Sequence, residues 1–140
     1  MANEVTVTAA DVRPLTGCII RRAIAASALA HGDVVYPSSY SGDKPVVSKA
    51  DGSAVATANG LGVVVSGALG NTTIAANEAC DVVVFGPVTG YSGMTAGNTI
   101  WVSDTAGRLS TVVGTKSGVV GLAESPTVVM VRPGLFTVSS

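Results

Sequence analysis

Cys80-Asp81-Val82-Val83-Val84-Phe85-Gly86-Pro87 is the stretch on which the fold turns. Three consecutive valines restrict χ1 in a helix and fit a pleated sheet. The Gly-Pro pair after Phe85 reads as the end of ladder pairing. The same design recurs outward from this stretch: short Val-, Ile- and Thr-rich runs, few of them containing Leu, punctuated by glycine. Candidate strands are Val5–Thr8, Cys18–Ala25, Asp33–Tyr36, Val46–Lys49, Gly62–Ser66, Cys80–Phe85, Thr99–Ser103, Gly118–Ala123 and Val128–Arg132. Turn pairs separate them: Gly42-Asp43, Asp51-Gly52, Asn59-Gly60, Gly70-Asn71, Gly86-Pro87, Ser92-Gly93, Ala106-Gly107 and Pro133-Gly134. About nine short strands at such spacing predict an all-β sandwich or barrel. Ile19 to His31 reads as a strand through Ile24 and then an alanine-rich loop; the alternative is a helix of about three turns stopped by Gly32.

A diverged internal repeat runs through these strands. Gly32-Asp33-Val34-Val35-Tyr36 matches Gly97-Asn98-Thr99-Ile100-Trp101, and Val47-Ser48 with Gly52 matches Val102-Ser103 with Gly107. Gly62-Val63-Val64 matches Gly118-Val119-Val120, and Val82-Val83-Val84 with Pro87 matches Val128-Val129-Met130 with Pro133. Each unit is read as a strand ending in an aromatic, a hairpin at Asp51-Gly52 or Ala106-Gly107, and two valine-rich strands, the two units packed face to face. The expected organisation is an extended arm over residues 1–15, a β domain over 16–134 with halves at about 32–90 and 97–134, and a tail over 135–140.

The chain has 140 residues, enough for one domain with a real core and no need of disulfides or metals. Hydrophobic residues make up 47% and charged residues 12%, where an ordinary globular protein carries about 25% charged. A surface so thin in charge implies a membrane or covering partners. No window offers the ~20 uninterrupted apolar residues of a spanning helix, since Leu15 to Leu29 is broken by Arg21 and Arg22. Nor does an apolar signal segment follow Met1 to Asn3, so synthesis and folding in a cytoplasm without export are expected. Eight scattered basic residues at a net charge of −1 do not make a nucleic-acid surface. Cys18 and Cys80 read as buried reduced thiols or, alternatively, as one bridge.

Catalytic equipment is missing from the pattern. His31, the single histidine, stands at a turn with no positioned nucleophile beside it and reads as an exposed loop residue. The aspartates are too dispersed for a calcium loop; Asp51 and Asp104 fall at or beside turns, where Asp bonds nearby backbone. Gly60-Leu61-Gly62 lacks the rest of a phosphate-binding loop. Tyr36, Phe85 and Trp101 read as core. No cofactor or metal is expected. Arg13, Arg21 and Arg22 remain: either interface residues, for which the planar guanidinium is suited, or charges solvated or paired to nearby acids.

Ala10-Asp11-Val12-Arg13-Pro14-Leu15, Ile20-Arg21-Arg22 and Gly32-Asp33-Val34-Val35-Tyr36 resemble small virion proteins of tailed bacteriophages. Gly86-Pro87-Val88-Thr89-Gly90, Gly97-Asn98-Thr99-Ile100-Trp101-Val102-Ser103 and Ala106-Gly107-Arg108-Leu109 continue the likeness, which extends from about Ala10 to Pro133. The family suggested is the capsid decoration, or head cement, proteins; phage tail and fibre proteins share the style. The resemblance implies a β-rich homo-oligomer, dimer or trimer, without enzymatic activity. It would sit on the outer capsid surface, bind the major capsid protein and bridge capsomers. An arm carrying Val5 and Val7 would pair with a neighbour's sheet edge, with Arg13, Arg21 and Arg22 completing the contact. A carbohydrate-binding sandwich is a more distant alternative, disfavoured by an aromatic content of 4%.

Overall fold

The computed structural model describes residues 4–67 and 72–132. It is all-β, as the valine runs imply, and every one of the nine expected strands is present. Its spine is β9, Ala79–Thr89, eleven residues long. The first part of β9 closes a five-stranded barrel. There it pairs with β3 (Ile19–Ala25) on one side and β7 (Gly62–Gly67) on the other. The ring is completed by β6 (Lys44–Lys49) next to β3 and by β5 (Val34–Ser41) between β6 and β7. All of these seams are antiparallel except β3–β6, which is parallel. Ile19–His31 is therefore sheet: β3 is followed by a bend and then by β4, Leu29–Ala30, which pairs with β8, Thr73–Ile74.

Beyond Phe85 the same strand leaves the barrel and enters a second sheet. Gly86–Thr89 pairs with β14 (Val128–Val131) on one side and with β2 (Arg13–Pro14) on the other. From β14 the sheet continues through β13 (Val119–Ala123) and β11 (Thr99–Val102) to β12 (Leu109–Ser110). The halves thus share an order: β6-β5-β7-β9 in the first and β12-β11-β13-β14 in the second. The remaining elements are small: β1 (Thr6–Val7), β10 (Tyr91–Ser92), a 3₁₀ turn at Ala9–Asp11 and the helix α1 at Val55–Ala58.

Burial explains the valine runs. Val35, Val47, Val64 and Val82 point into the barrel with Ala23, Ala25, Leu29, Ile74 and Cys80. Their chain neighbours Val34, Val63, Val65 and Val83 point the other way, into a core shared with Val88, Ile100, Leu109 and Val129 of the second sheet. A strand buried on both faces carries no polar alternation. Each fully buried valine contributes roughly 1.5–3 kcal/mol relative to exposure.

Four expectations are corrected. Gly86-Pro87 does not end a strand. Gly86 adopts φ +128°, where a Cβ would lie 2.6 Å from the Cys18 Cα, and Pro87 directs its missing N–H towards β2, where Leu15 N–H donates to its carbonyl at 2.9 Å. The hairpin of the first half is Gly42-Asp43, between Ser41 and Lys44, not Asp51-Gly52; the latter turn leads to α1. Val47-Ser48 accordingly lies in β6 while Val102-Ser103 lies at the end of β11, so that match does not superpose in topology. The described part of the arm, residues 4–15, is folded onto its own chain. Val5 N–H donates to Leu109 O at 2.9 Å, Thr6 and Val7 pair with Ser92 and Tyr91, and Arg13 and Pro14 pair with Thr89 and Val88. Val5 and Val12 are core side chains, and this burial holds the segment down. The start of the arm at 1–3, the Gly70-Asn71 and Pro133-Gly134 turns and the tail at 135–140 lie outside the described residues.

Candidate functional site

A register shift lies between Ile19 and Ile20, beside exposed apolar side chains. Ile19 pairs with Phe85, and Ile20 with Val83, so β9 carries one extra residue here, Val84. This bulge interrupts the ladder beside Ile19 and Ile20. Ile19 is 59% exposed, Ile20 47% and Phe85 44%. The exposed cross-strand pair Ile19–Phe85, with exposed Ile20 next to it in the chain, is apolar surface of the kind that marks an interaction site. Phe85 was expected in the core; it lies where β9 passes from one sheet to the other, and neither core reaches it.

Arg21 and Arg22 border this patch. Arg22 Nε donates to Asp81 Oδ1 at 2.7 Å, and Asp81 Oδ2 accepts the Ser66 hydroxyl at 2.9 Å. That pair is half open to water and contributes at most about 1 kcal/mol. Arg21 reaches across to the β5–β6 hairpin, donating from Nη2 to the backbone oxygen of Asp43 at 3.1 Å. Around Arg21 the barrel mouth opens into a cleft of about 530 Å³, floored by Leu61 and Val84 and walled by Pro37, Tyr40 and Pro45. Lys44 lines the same cleft. Neither Arg21 nor Lys44 has an ion-pair partner among the described residues.

The other residues expected at an interface are not brought here. Val5 is 3% exposed and belongs to the core between the sheets, and Val7 packs against that core. Arg13 is exposed on β2 opposite Thr89, seven residues along β9 from the Arg21–Val82 pair and so roughly 20 Å away. A second exposed apolar pair, Val112 and Val113, lies beside Glu4 on the loop after β12. That loop is held by Asp104, whose carboxylate accepts from Thr115 N–H at 2.9 Å and from the Thr115 hydroxyl at 2.6 Å. These bonds keep Asp104 below the usual carboxylate range.

The polar groups inside the fold are structural. Asp33 is buried and accepts Ala30 N–H at 2.9 Å across the turn before β5; desolvation raises its pKa against the opposing influence of that bond, Lys49 and Arg108. Tyr91 donates its hydroxyl to Gly32 O at 2.9 Å in full burial, which pushes its ionisation far upward. Asp51 accepts Ser53 N–H at 2.8 Å, a turn of the expected kind. His31 is half-buried, not exposed, in the β4–β5 turn. Cys18 and Cys80 are both free. Cys80 faces the barrel interior, where burial moves its thiol to about 11; Cys18 lies on the other side of the sheet, its thiol donating to Pro87 O at 3.1 Å. Among the described residues, no three metal-ligating side chains converge and no helix is long and apolar enough to cross a membrane.

What fold and surface define together is a two-sheet β module with exposed apolar side chains beside Arg21 and Arg22. Comparison with protein-family models, curated proteins and solved structures gives no match.

Proposed function

We propose that the chain is a structural virion protein that binds the outer surface of a tailed-phage capsid and stabilises it by bridging capsomers. The observation that carries this reading is the exposure of Ile19, Ile20 and Phe85 around the β9 bulge, apolar surface that an isolated chain leaves in water. Bridging needs two contact faces, and the exposed Val112-Val113 pair on the loop after β12 is a candidate for the second. The likeness to decoration proteins described above supports the same reading. The partner is the major capsid protein, and self-association into dimers or trimers on a symmetric shell adds avidity.

The test is co-sedimentation of purified protein with expanded capsids that lack it. Wild type is retained and raises the temperature at which the capsids rupture. A variant carrying Ile19→Ser and Phe85→Ser folds normally and loses at least about tenfold in affinity, as expected for truncated interface anchors. Capsids that retain neither protein overturn the proposal. Labelling confined to the tail assigns the chain to a tail or fibre structure.

A further inference from the structure

The seam between β3 and β6 is unfinished. Pairing is limited to Ile24 with Val46 and Ala25 with Val47. Towards Arg21 and Lys44 the two strands part, and the opening continues into the cleft at the barrel mouth. Ala25 N–H donates to Glu78 O at 2.9 Å, and Ala25 O accepts Asn77 N–H at 2.7 Å. The backbone of Ala25 therefore faces the β9 side. By strand alternation the backbone groups of Ile20 and Arg22 face the opposite way, into the gap. On the far bank, Val47 O accepts Ala26 N–H at 2.8 Å, so Pro45 shares that orientation and brings no N–H to the gap. No β6 residue pairs with Ile20 or Arg22. Their free N–H and C=O groups form a short edge of the kind that templates an added strand.

We infer that this gap receives an extended peptide segment of a partner protein, laid along β3 as a further strand. The segment carries an acidic side chain and, two residues away, an apolar one. Residues two apart on a strand point to the same face. The acidic group meets Arg21 and Lys44, neither of which is in an ion pair among the described residues and which together outnumber Asp43, the one carboxylate lining the cleft. The apolar group fills the cleft between Pro37, Tyr40, Pro45 and Leu61. Backbone pairing supplies affinity, and the cleft with its two cations supplies selectivity. This deepens the reading that the barrel end contacts protein and names the chemistry of one contact. A capsid is not needed to observe it.

The probes are blocked heptapeptides alternating threonine and valine, with a central aspartate, or a central lysine in the control. Binding to the full chain is followed by amide chemical shifts and hydrogen exchange. The aspartate peptide shifts and protects the Ile20 and Arg22 amides; the lysine peptide binds about tenfold more weakly, the size of one charge-assisted contact. Arg21→Glu with Lys44→Glu reverses that preference, which a misfolded variant would not do. Absence of shifts at millimolar peptide, shifts located elsewhere, or an unchanged preference in the double variant overturns the inference. So does a dimer that Arg21→Glu dissolves, since a second copy would then be the occupant. Capsid retention without peptide binding removes this inference alone, and peptide binding without capsid retention removes the virion reading alone.

Discussion

Val82 and Val83 are consecutive on β9, both fully buried, and belong to different cores. The first closes the barrel interior; the second packs against the other sheet. A strand with one wet face would tolerate a polar residue at one of the two positions. Here neither does. Val82→Ala and Val83→Ala each lower stability by about 2–3 kcal/mol, from lost burial plus a cavity, measured by urea unfolding. Val82→Asp and Val83→Asp both prevent folding.

Gly86 allows β9 to pass between the sheets. Its φ of +128° and the Cys18 backbone beside it leave no place for a Cβ. Gly86→Ala combines backbone strain with a clash and costs about 3 kcal/mol or more. Gly93, at φ +89° with open space around it, separates the two effects: Gly93→Ala costs only about 1 kcal/mol. Equal losses in denaturation midpoint for both variants would contradict this account.

Tyr91 joins β10 to the turn before β5 through its bond to Gly32 O. Tyr91→Phe removes the hydroxyl and leaves a buried carbonyl without that donor, at about 1–3 kcal/mol. Hydrogen exchange speeds up first at the amides flanking Gly32.

Asp33 makes stability depend on pH in a definite direction. Burial raises its carboxyl above the ordinary value. As pH rises through the window between the ordinary and the raised value, the unfolded chain loses its proton first. The folded chain then holds more protons, and stability falls with rising pH across that window and stays level above it. Asp33→Asn keeps an acceptor for Ala30 N–H and removes this slope, so its advantage over wild type grows from pH ~4 upward. Asp104, with its carboxyl lowered, acts in the opposite sense and loses its contribution as pH falls. Urea midpoints of the Asn variant and wild type across pH check the prediction; parallel curves would refute it.

Much of the fold was legible because branched residues run unbroken where both strand faces are buried, as in Val63-Val64-Val65. The two-residue strands were not legible. Thr73–Ile74 is a strand only because Leu29–Ala30 lies opposite, and no local pattern announces such a partner. Pro87 misled for a related reason: whether a proline breaks a ladder depends on which way its nitrogen faces, and that is set by β2 and β14. At the candidate surface, the adjacency of Arg21 and Arg22 was visible in one dimension. The exposure of Ile19 and Phe85 was not, because it lies beside a single-residue bulge that only the pairing of β3 with β9 reveals. Lys44 joins Arg21 only through the hairpin at Gly42-Asp43. Val5 read as a reaching side chain because an apolar residue ahead of a domain looks the same in sequence whether it grips a neighbour or its own core.

One continuous backbone, β9, is a wall of both sheets. Tension applied to the barrel therefore travels to the other half through covalent bonds, without crossing a separable seam. The halves cannot peel apart as beads on a string would. Melting should register as one event, and a molecule loaded from two sides would yield as a single mechanical body.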